Sequence, residues 1–442
     1  SPLQTLFLAA TVTVVYSSLG GLKGVIVTDF FQFILAMAAT IGAAVVLLDL
    51  PEVGGLEGLI NHVDVVPKLD LIPDITSGEV FLTLFIIPIA LQWWSVWYPG
   101  AEPGGGGYIA QRMLSAKDEK NAIWATLLFN FMHYAVRPWP WILVALASVI
   151  VFPTLDSLQA AFPNLDPSVI GHDLAYPAMM SFLPSGLLGL LLASLIAAFM
   201  STLSSHLNWG SSYVVHDFYR RFVEPEATQK KLVAVGRITT VVLMVLAGLL
   251  ALALQNALQA FSILLQIGAG TGLLFILRWF WWRINIYSEI TAMVVSFVIA
   301  LYMELLHPAL GGTPLDGTTQ LLLGVGITTI CWVGVTLLTH PEDEDVLYSF
   351  IEKINPGGPG WKSVHERAAA SGKKLTISKQ AWNVPTGILC MLFGSLMIYS
   401  LMFSTGYFLY GDHSLALQVG GLALLSFGGL FYFWKKLRTS EG

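Results

Sequence analysis

"PSGLLGLLLASLIAAFMSTLSSHLNWGSS", residues 184–212, changes character halfway. Its first fifteen residues carry no charge and are long and apolar enough to sit in a membrane. Then Ser201, Thr202, Ser204 and Ser205 place four hydroxyls in five residues. A bilayer interior penalises polar groups without partners, so these hydroxyls must face something. On a helix, positions 198, 201, 202 and 205 share one face, with Ser204 beside them. One or two such hydroxyls would read as small residues that let helices pack and bond back to their own carbonyls. Four together read better as a surface of hard, neutral oxygens, which suits a hard cation such as sodium.

The rest of the chain is built in the same manner. Of 442 residues, 55% are hydrophobic and 11% charged, against about 25% charged in soluble domains. This is a polytopic membrane protein. Apolar runs of spanning length fall near 3–19, 25–50, 79–99, 121–152, 184–214, 232–254, 257–281, 288–306, 318–339, 384–410 and 413–434, eleven in all. Threaded from outside to inside through the first run, the chain leaves twenty of its twenty-two Lys and Arg on inner segments. Only Lys68 falls outside and Arg137 within a span, a bias that the positive-inside rule rewards. The net charge of −6 adds little, and no nucleic acid partner is expected. Cys331 and Cys390 both lie in apolar segments and read as buried thiols. The chain starts at Ser1 and enters an apolar run almost at once, so no signal peptide is expected and the start reads as a cut.

Several other features bear on function. Asp29, in "GGLKGVIVTDFFQF" (20–33), lies just inside the second run, on the inner half where Ser204 and Ser205 also fall. It is either a functional carboxylate or an interfacial residue favoured by a helix N-terminus. Arg137, in "FMHYAVRPWPWI" (131–142), stands beside two prolines that kink or break the helix and free carbonyls. It binds a carboxylate or hydroxyl of a solute, or pairs with an acid from another helix. His133, one turn earlier, reads as a packing histidine. "QIGAGTG" (266–272) allows close packing or an unwound stretch, and Gln266 serves a solute or glues helices. The glycine-rich segment 98–112, with Glu102, reads as an inner hinge, and "WFWWR" (279–283) as interfacial aromatics. The outer segments 51–78 and 153–183 are expected to fold back as lids or surface helices. Within 340–383, "DVLYSFIEKI" fits a short amphipathic helix of a tether or regulatory loop.

"YSSLGGLKGVIVTDFFQF", "LLASLIAAFMSTLSSHLNWGSSYVVHDFYRR" and "GYIAQRMLSAKDEKNA" closely resemble the sodium/solute symporter family, which includes bacterial sodium/galactose, sodium/proline and sodium/sialic acid symporters. The resemblance implies an all-α membrane protein with the five-plus-five inverted-repeat transporter fold. It implies that 1–50 is the last two helices of the first repeat and 79–283 the second five-helix repeat. Additional helices would follow at 288–340, a cytoplasmic loop at 341–383 and the C-terminal helices at 384–442. By the same resemblance Ala198, through its carbonyl, Ser201 and Thr202 form half of the main sodium site. Ser201, Ser204 and Ser205 with Asp29 form a second sodium site. Gln266, Arg137, Trp93 and Trp94 fall near substrate positions. The family's leading helix and first three core helices have no counterpart here, and they would complete the main site.

The expected function is a sodium-coupled secondary active symporter, not an enzyme, which imports a small polar solute (sugar, amino acid or carboxylate) across the plasma membrane. Its partners are Na+, the solute and the bilayer. A transporter-fold sensor or scaffold is the alternative, and an intramembrane enzyme using His133 lacks a second catalytic partner at helical spacing.

Overall fold

A computed structural model describes residues 2–95, 107–253, 266–313, 315–375 and 383–439. Among these residues the chain is helical, with no β-strand. The long apolar helices are α1 (Pro2–Leu48), α2 (Gly78–Ser95), α3 (Glu119–Val151), α4 (Ser185–Val223), α5 (Gln229–Ala251), α6 (Ile286–Ala309), α7 (Gly317–Leu338), α8 (Val384–Leu409) and α9 (His413–Leu437). Among the described residues nine helices are long and apolar enough to cross a membrane, one of them the Leu22–Leu48 part of α1.

Eleven runs become nine for two reasons. The run at 257–281 contributes none, because 257–265 lie outside the described residues and the remainder breaks at Ala269 and Gly270. The runs at 3–19 and 25–50 are not separate spans but one continuous helix of 47 residues. At 1.5 Å per residue α1 is about 70 Å long, more than twice a bilayer's hydrocarbon core. The reversal expected near Lys23 is absent, because no proline interrupts the helix after Pro2 and the glycines there tolerate helix as well as a turn.

The chain forms two compact units. The first comprises Ser1–Leu71, Leu127–Ala253 and Ile398–Ala423. Here α4 lies along α1, and small residues permit the approach: a β-carbon at Gly42 would stand 3.1 Å from a Leu187 methyl. Ala39, Ala43 and Leu47 of α1 share a core with Val144 and Ala147 of α3 and Leu191 of α4. The segments expected to fold back do so as short helices. Leu59 and Val65 from 51–78, and Met179 from 153–183, are wholly buried in that core. Thr154 and Ser157 cap the helix Leu155–Ala161 reciprocally. Along α5, Ile238, Val241, Val242, Val245, Leu246, Leu249 and Leu250 make an exposed apolar stripe at helical spacing, the face a lipid tail covers.

The second unit comprises Ile72–Thr126, Leu254–Met397 and Leu424–Gly442. Asn285 caps α6 by accepting from the Ser288 amide, and its own amide donates to Thr339 and the His340 carbonyl at the end of α7. Ser288 and Thr336 hydroxyls meet at 2.7 Å nearby, so the start of α6 is tied to the end of α7. The segment after α7 contains the expected amphipathic helix, at Glu344–Ile354, which buries Leu347, Tyr348 and Ile351. It pairs with the helix Lys362–Ala370 in a hairpin whose core includes Trp361 and Val364 and packs on Trp282. The aromatic run at 279–283 is therefore a dock: the Trp361 indole donates to the Trp279 carbonyl at 2.9 Å, and the Arg367 guanidinium lies 4.3 Å from the Trp282 ring centre. Both cysteines are free thiols, half-buried rather than buried.

Candidate functional site

The hydroxyl run of α4 meets the carboxylate of α1. Ser201 Oγ donates to Asp29 Oδ1 at 2.7 Å, across 172 residues of chain. Ser204 is wholly buried beside it and donates to the Ser201 carbonyl at 3.0 Å. Ser17 of α1 donates to the Ser204 carbonyl at 3.4 Å. Ser205 is half-buried on the same side. At 100° per residue the run from Ser204 through Ser201, Ser205 and Ala198 to Thr202 sweeps about 160° round the helix. Burial falls along that sweep: Ser204 is buried, Ser201 and Ser205 are half-buried, and Ala198 and Thr202 are exposed. Thr202 donates back to the Ala198 carbonyl at 3.1 Å. Two adjacent oxygen faces result, one closed against α1 and one open, with Ser201 on the border.

Another hydroxyl on α4 makes the contrast plain. Ser211 donates to the Gly236 carbonyl of α5 at 2.9 Å, which is helix–helix glue. Ser201 instead meets an ionisable group. Hydroxyl oxygens, main-chain carbonyls and one carboxylate are the donor set a hard cation uses. Among the described residues no cluster of three or more His, Cys, Asp or Glu could hold a multivalent metal.

Arg137 follows a widened turn of α3, where its amide bonds to the Met132 carbonyl five residues back. Its guanidinium meets no acid among the described residues. It lies 3.1 Å from Nδ1 of His133, which must accept, because a guanidinium only donates. His133 also stacks on Phe129 at 5.0 Å, in keeping with a packing role. Trp94 donates its indole to the Ala90 carbonyl and packs with Ala269, Leu321 and Val325, whereas Trp93 is half exposed at the end of α2. The stretch 96–106, including Glu102, lies outside the described residues.

The glycine-rich helix is broken, as its composition allows. Gly270 takes a φ of +84° between a short helical segment ending at Gly268 and the helix Thr271–Leu277. A β-carbon at Gly270 would meet that of Thr328 at 2.7 Å. Gln266, just before the break, donates from Nε2 to Oε1 of Gln320 on α7, and the same nitrogen lies 3.5 Å from Oε2 of Glu304 on α6. Glu304 and Gln320 were not anticipated from sequence. Sheer separation along the chain hides them, although an acid inside an apolar run is a signal in its own right.

Long apolar helices, a broken glycine-rich helix and an oxygen cluster between two helices together describe a polytopic helical membrane fold. A solved structure shares that fold, described as a substrate-bound outward-open state of a Na+-coupled sialic acid symporter with a novel Na+-site, at a TM-score of 0.57 and 20% identity, covering 78% of this chain and 68% of that one. Residues 3–296 match the model of the sodium:solute symporter family, and the chain belongs to that family. It is 29% identical to a sodium/glucose cotransporter of Vibrio parahaemolyticus over 76% of this chain and 62% of that protein. It is 26% identical to a sodium/proline symporter of Haemophilus influenzae over 78% of this chain and 66% of that protein. The chain thus spans less than two-thirds of the length of these relatives. It is a multi-pass membrane protein.

Proposed function

We infer that this protein is a sodium-coupled symporter of the plasma membrane that imports a small polar solute by alternating access. The observation that carries the reading is the Ser201–Asp29 contact between α4 and α1. A cation of this size takes oxygens at about 2.4 Å, and two ligands at a right angle then stand roughly 3.4 Å apart. Asp29 Oδ1 and Ser201 Oγ are 2.7 Å apart. Loading sodium therefore requires the hydrogen bond to open and the Ser201 proton to turn away. The carboxylate cancels the ion's charge, while Ser201, Ser204 and Ser205 supply neutral oxygens that hold the ion without trapping it.

The open face of Ala198, Ser201 and Thr202 is half of a second, main sodium site, completed by groups from elsewhere in the whole protein. Gln266, Arg137, Trp93 and Trp94 serve the solute. Coupling is linkage: sodium raises solute affinity by the factor by which solute raises sodium affinity, and the inward gradient drives uptake. The sodium/glucose, sodium/proline and sodium/myo-inositol names of relatives favour a hydroxyl- or amine-bearing solute. The test is uptake of radiolabelled glucose and proline into vesicles holding the full-length protein. Uptake that rises with an imposed sodium gradient and collapses when the gradient is dissipated is expected. Uptake of either solute that ignores the gradient contradicts the reading.

A further inference from the structure

The polar chain around Gln266 has a direction that hydrogen-bond chemistry dictates. It begins at the Leu315 carbonyl, which can only accept, and Gln320 Nε2 donates to it at 2.9 Å. Gln320 therefore turns its oxygen the other way, toward Gln266. Gln266 must answer with its nitrogen, and Glu304, an acceptor when ionised, lies near that same nitrogen. The amide orientation of Gln266 is thus set by two neighbours and a backbone carbonyl.

What remains is Gln266 Oε1. It is buried and meets no donor among the described residues. A buried acceptor without a partner is unfavourable, and the arrangement persists because the nitrogen is held twice over. The turn that delivers Gln320 is itself anchored. Asp316 accepts from the Thr319 amide at 2.9 Å, and the Gln320 amide donates to the Asp316 carbonyl at 3.0 Å. Three segments distant in sequence converge on the carboxamide of Gln266, four residues before Gly270.

We propose that Glu304 and Gln320 are positioning residues that hold the Gln266 carboxamide by its nitrogen and leave its oxygen as the free acceptor, so that the solute site selects a hydrogen-bond donor. The inference rests on the symport reading above and deepens it. A hydroxyl or an ammonium satisfies Oε1, whereas a group that only accepts, such as a carboxylate, meets it lone pair to lone pair. The solute presents an O–H or N–H at this point, and a polyol or an amine is preferred to a dicarboxylate. Glu304 and Gln320 touch no solute; they act through Gln266.

The experiment measures thermal stabilisation of the purified full-length protein by sodium alone, and by glucose, proline or succinate in the presence of sodium. Stabilisation by glucose or proline but not by succinate is expected. Glu304→Met and Gln320→Met keep side-chain bulk and remove the hydrogen bond. Each should raise the half-maximal concentration of the effective probe at least tenfold, while Glu304→Gln, which keeps an acceptor, should stay within threefold. Retained stabilisation by sodium alone shows that each variant is folded. The proposal is overturned if succinate stabilises as well as the donors, if none of the three probes acts on sodium-responsive wild-type protein, or if both Met variants respond normally. Absence of any sodium response in wild type would sink the symport reading itself.

Discussion

Two polar contacts inside apolar helices differ in how firmly they are held. Ser201 and Asp29 meet through one hydrogen bond from a hydroxyl, a group that rotates freely and can both donate and accept. Gln266 is held by a chain of planar amides that ends on a main-chain carbonyl and leaves no choice of direction. The first contact can open when the hydroxyl rotates, as the proposed cation site requires. The second cannot turn without losing bonds, so it fixes one acceptor in place. On the proposed symport reading, the labile contact serves the ion and the rigid one serves the group that discriminates.

That contrast can be broken most forcefully at Gly270. Alanine there must fit a left-handed backbone and displace Thr328. We expect Gly270→Ala to lose about 2–4 kcal/mol of stability in thermal denaturation, and to weaken probe binding at Gln266 more than the response to sodium. An equal loss of both responses would mean that the rigid contact does not act locally. Next in size is Arg137→Ala. It should raise the apparent KM for solute about tenfold, near 1.4 kcal/mol, while the sodium dependence shifts less; a normal KM would reduce Arg137 to its contact with His133.

Two hydroxyls on one helix sharpen the comparison further. Ser201→Ala should raise the sodium concentration for half-maximal response by roughly three- to tenfold, about 0.7–1.4 kcal/mol. Ser211→Ala should leave that concentration unchanged and lower stability by about 1 kcal/mol, the worth of an ordinary hydrogen bond. Identical behaviour of the two variants would erase the distinction between ion ligand and helix glue.

The smallest effect belongs to the surface hairpin after α7, where polar contacts meet water. The Tyr348 hydroxyl and then Arg367 hold the Glu344 carboxyl below its usual 4.5, and Lys373 holds Asp345 below 3.8. Their contribution is present above those values and fades as pH falls through the lowered ones. Lys373 is raised above 10.5 by Asp345, so its share is present below that value and fades only at higher pH. Hydrogen exchange over 344–373, corrected for intrinsic rates, should be flat between about pH 5 and 9 and rise in acid. A flat profile into acid would show that the Trp282 dock alone holds the hairpin.

The legible and illegible parts of this molecule differ by the range of the interaction. Spans, the hydroxyl face of α4, the break at the glycines and the amphipathic helix at 344–354 all rest on local spacing, and each could be read from residues one or two turns apart. Asp29 could be paired with the hydroxyls because both fall at one depth. The continuity of α1 could not be read, since glycines permit helix and turn alike. Gln320 and Glu304 lie 54 and 38 residues from Gln266, and no periodicity links them. The direction of a carboxamide has no sequence signal at all. Arg137 and His133, one turn apart, were legible as neighbours, yet a guanidinium invited an acid where the structure supplies an imidazole.

The most direct test is a sodium titration of the purified protein, followed by thermal stabilisation, on wild type and on Asp29→Asn. The isosteric change removes the charge and little else. A half-maximal sodium concentration at least tenfold higher in Asp29→Asn is the expected result. Superimposable titrations would contradict the assignment of sodium to the contact between α1 and α4.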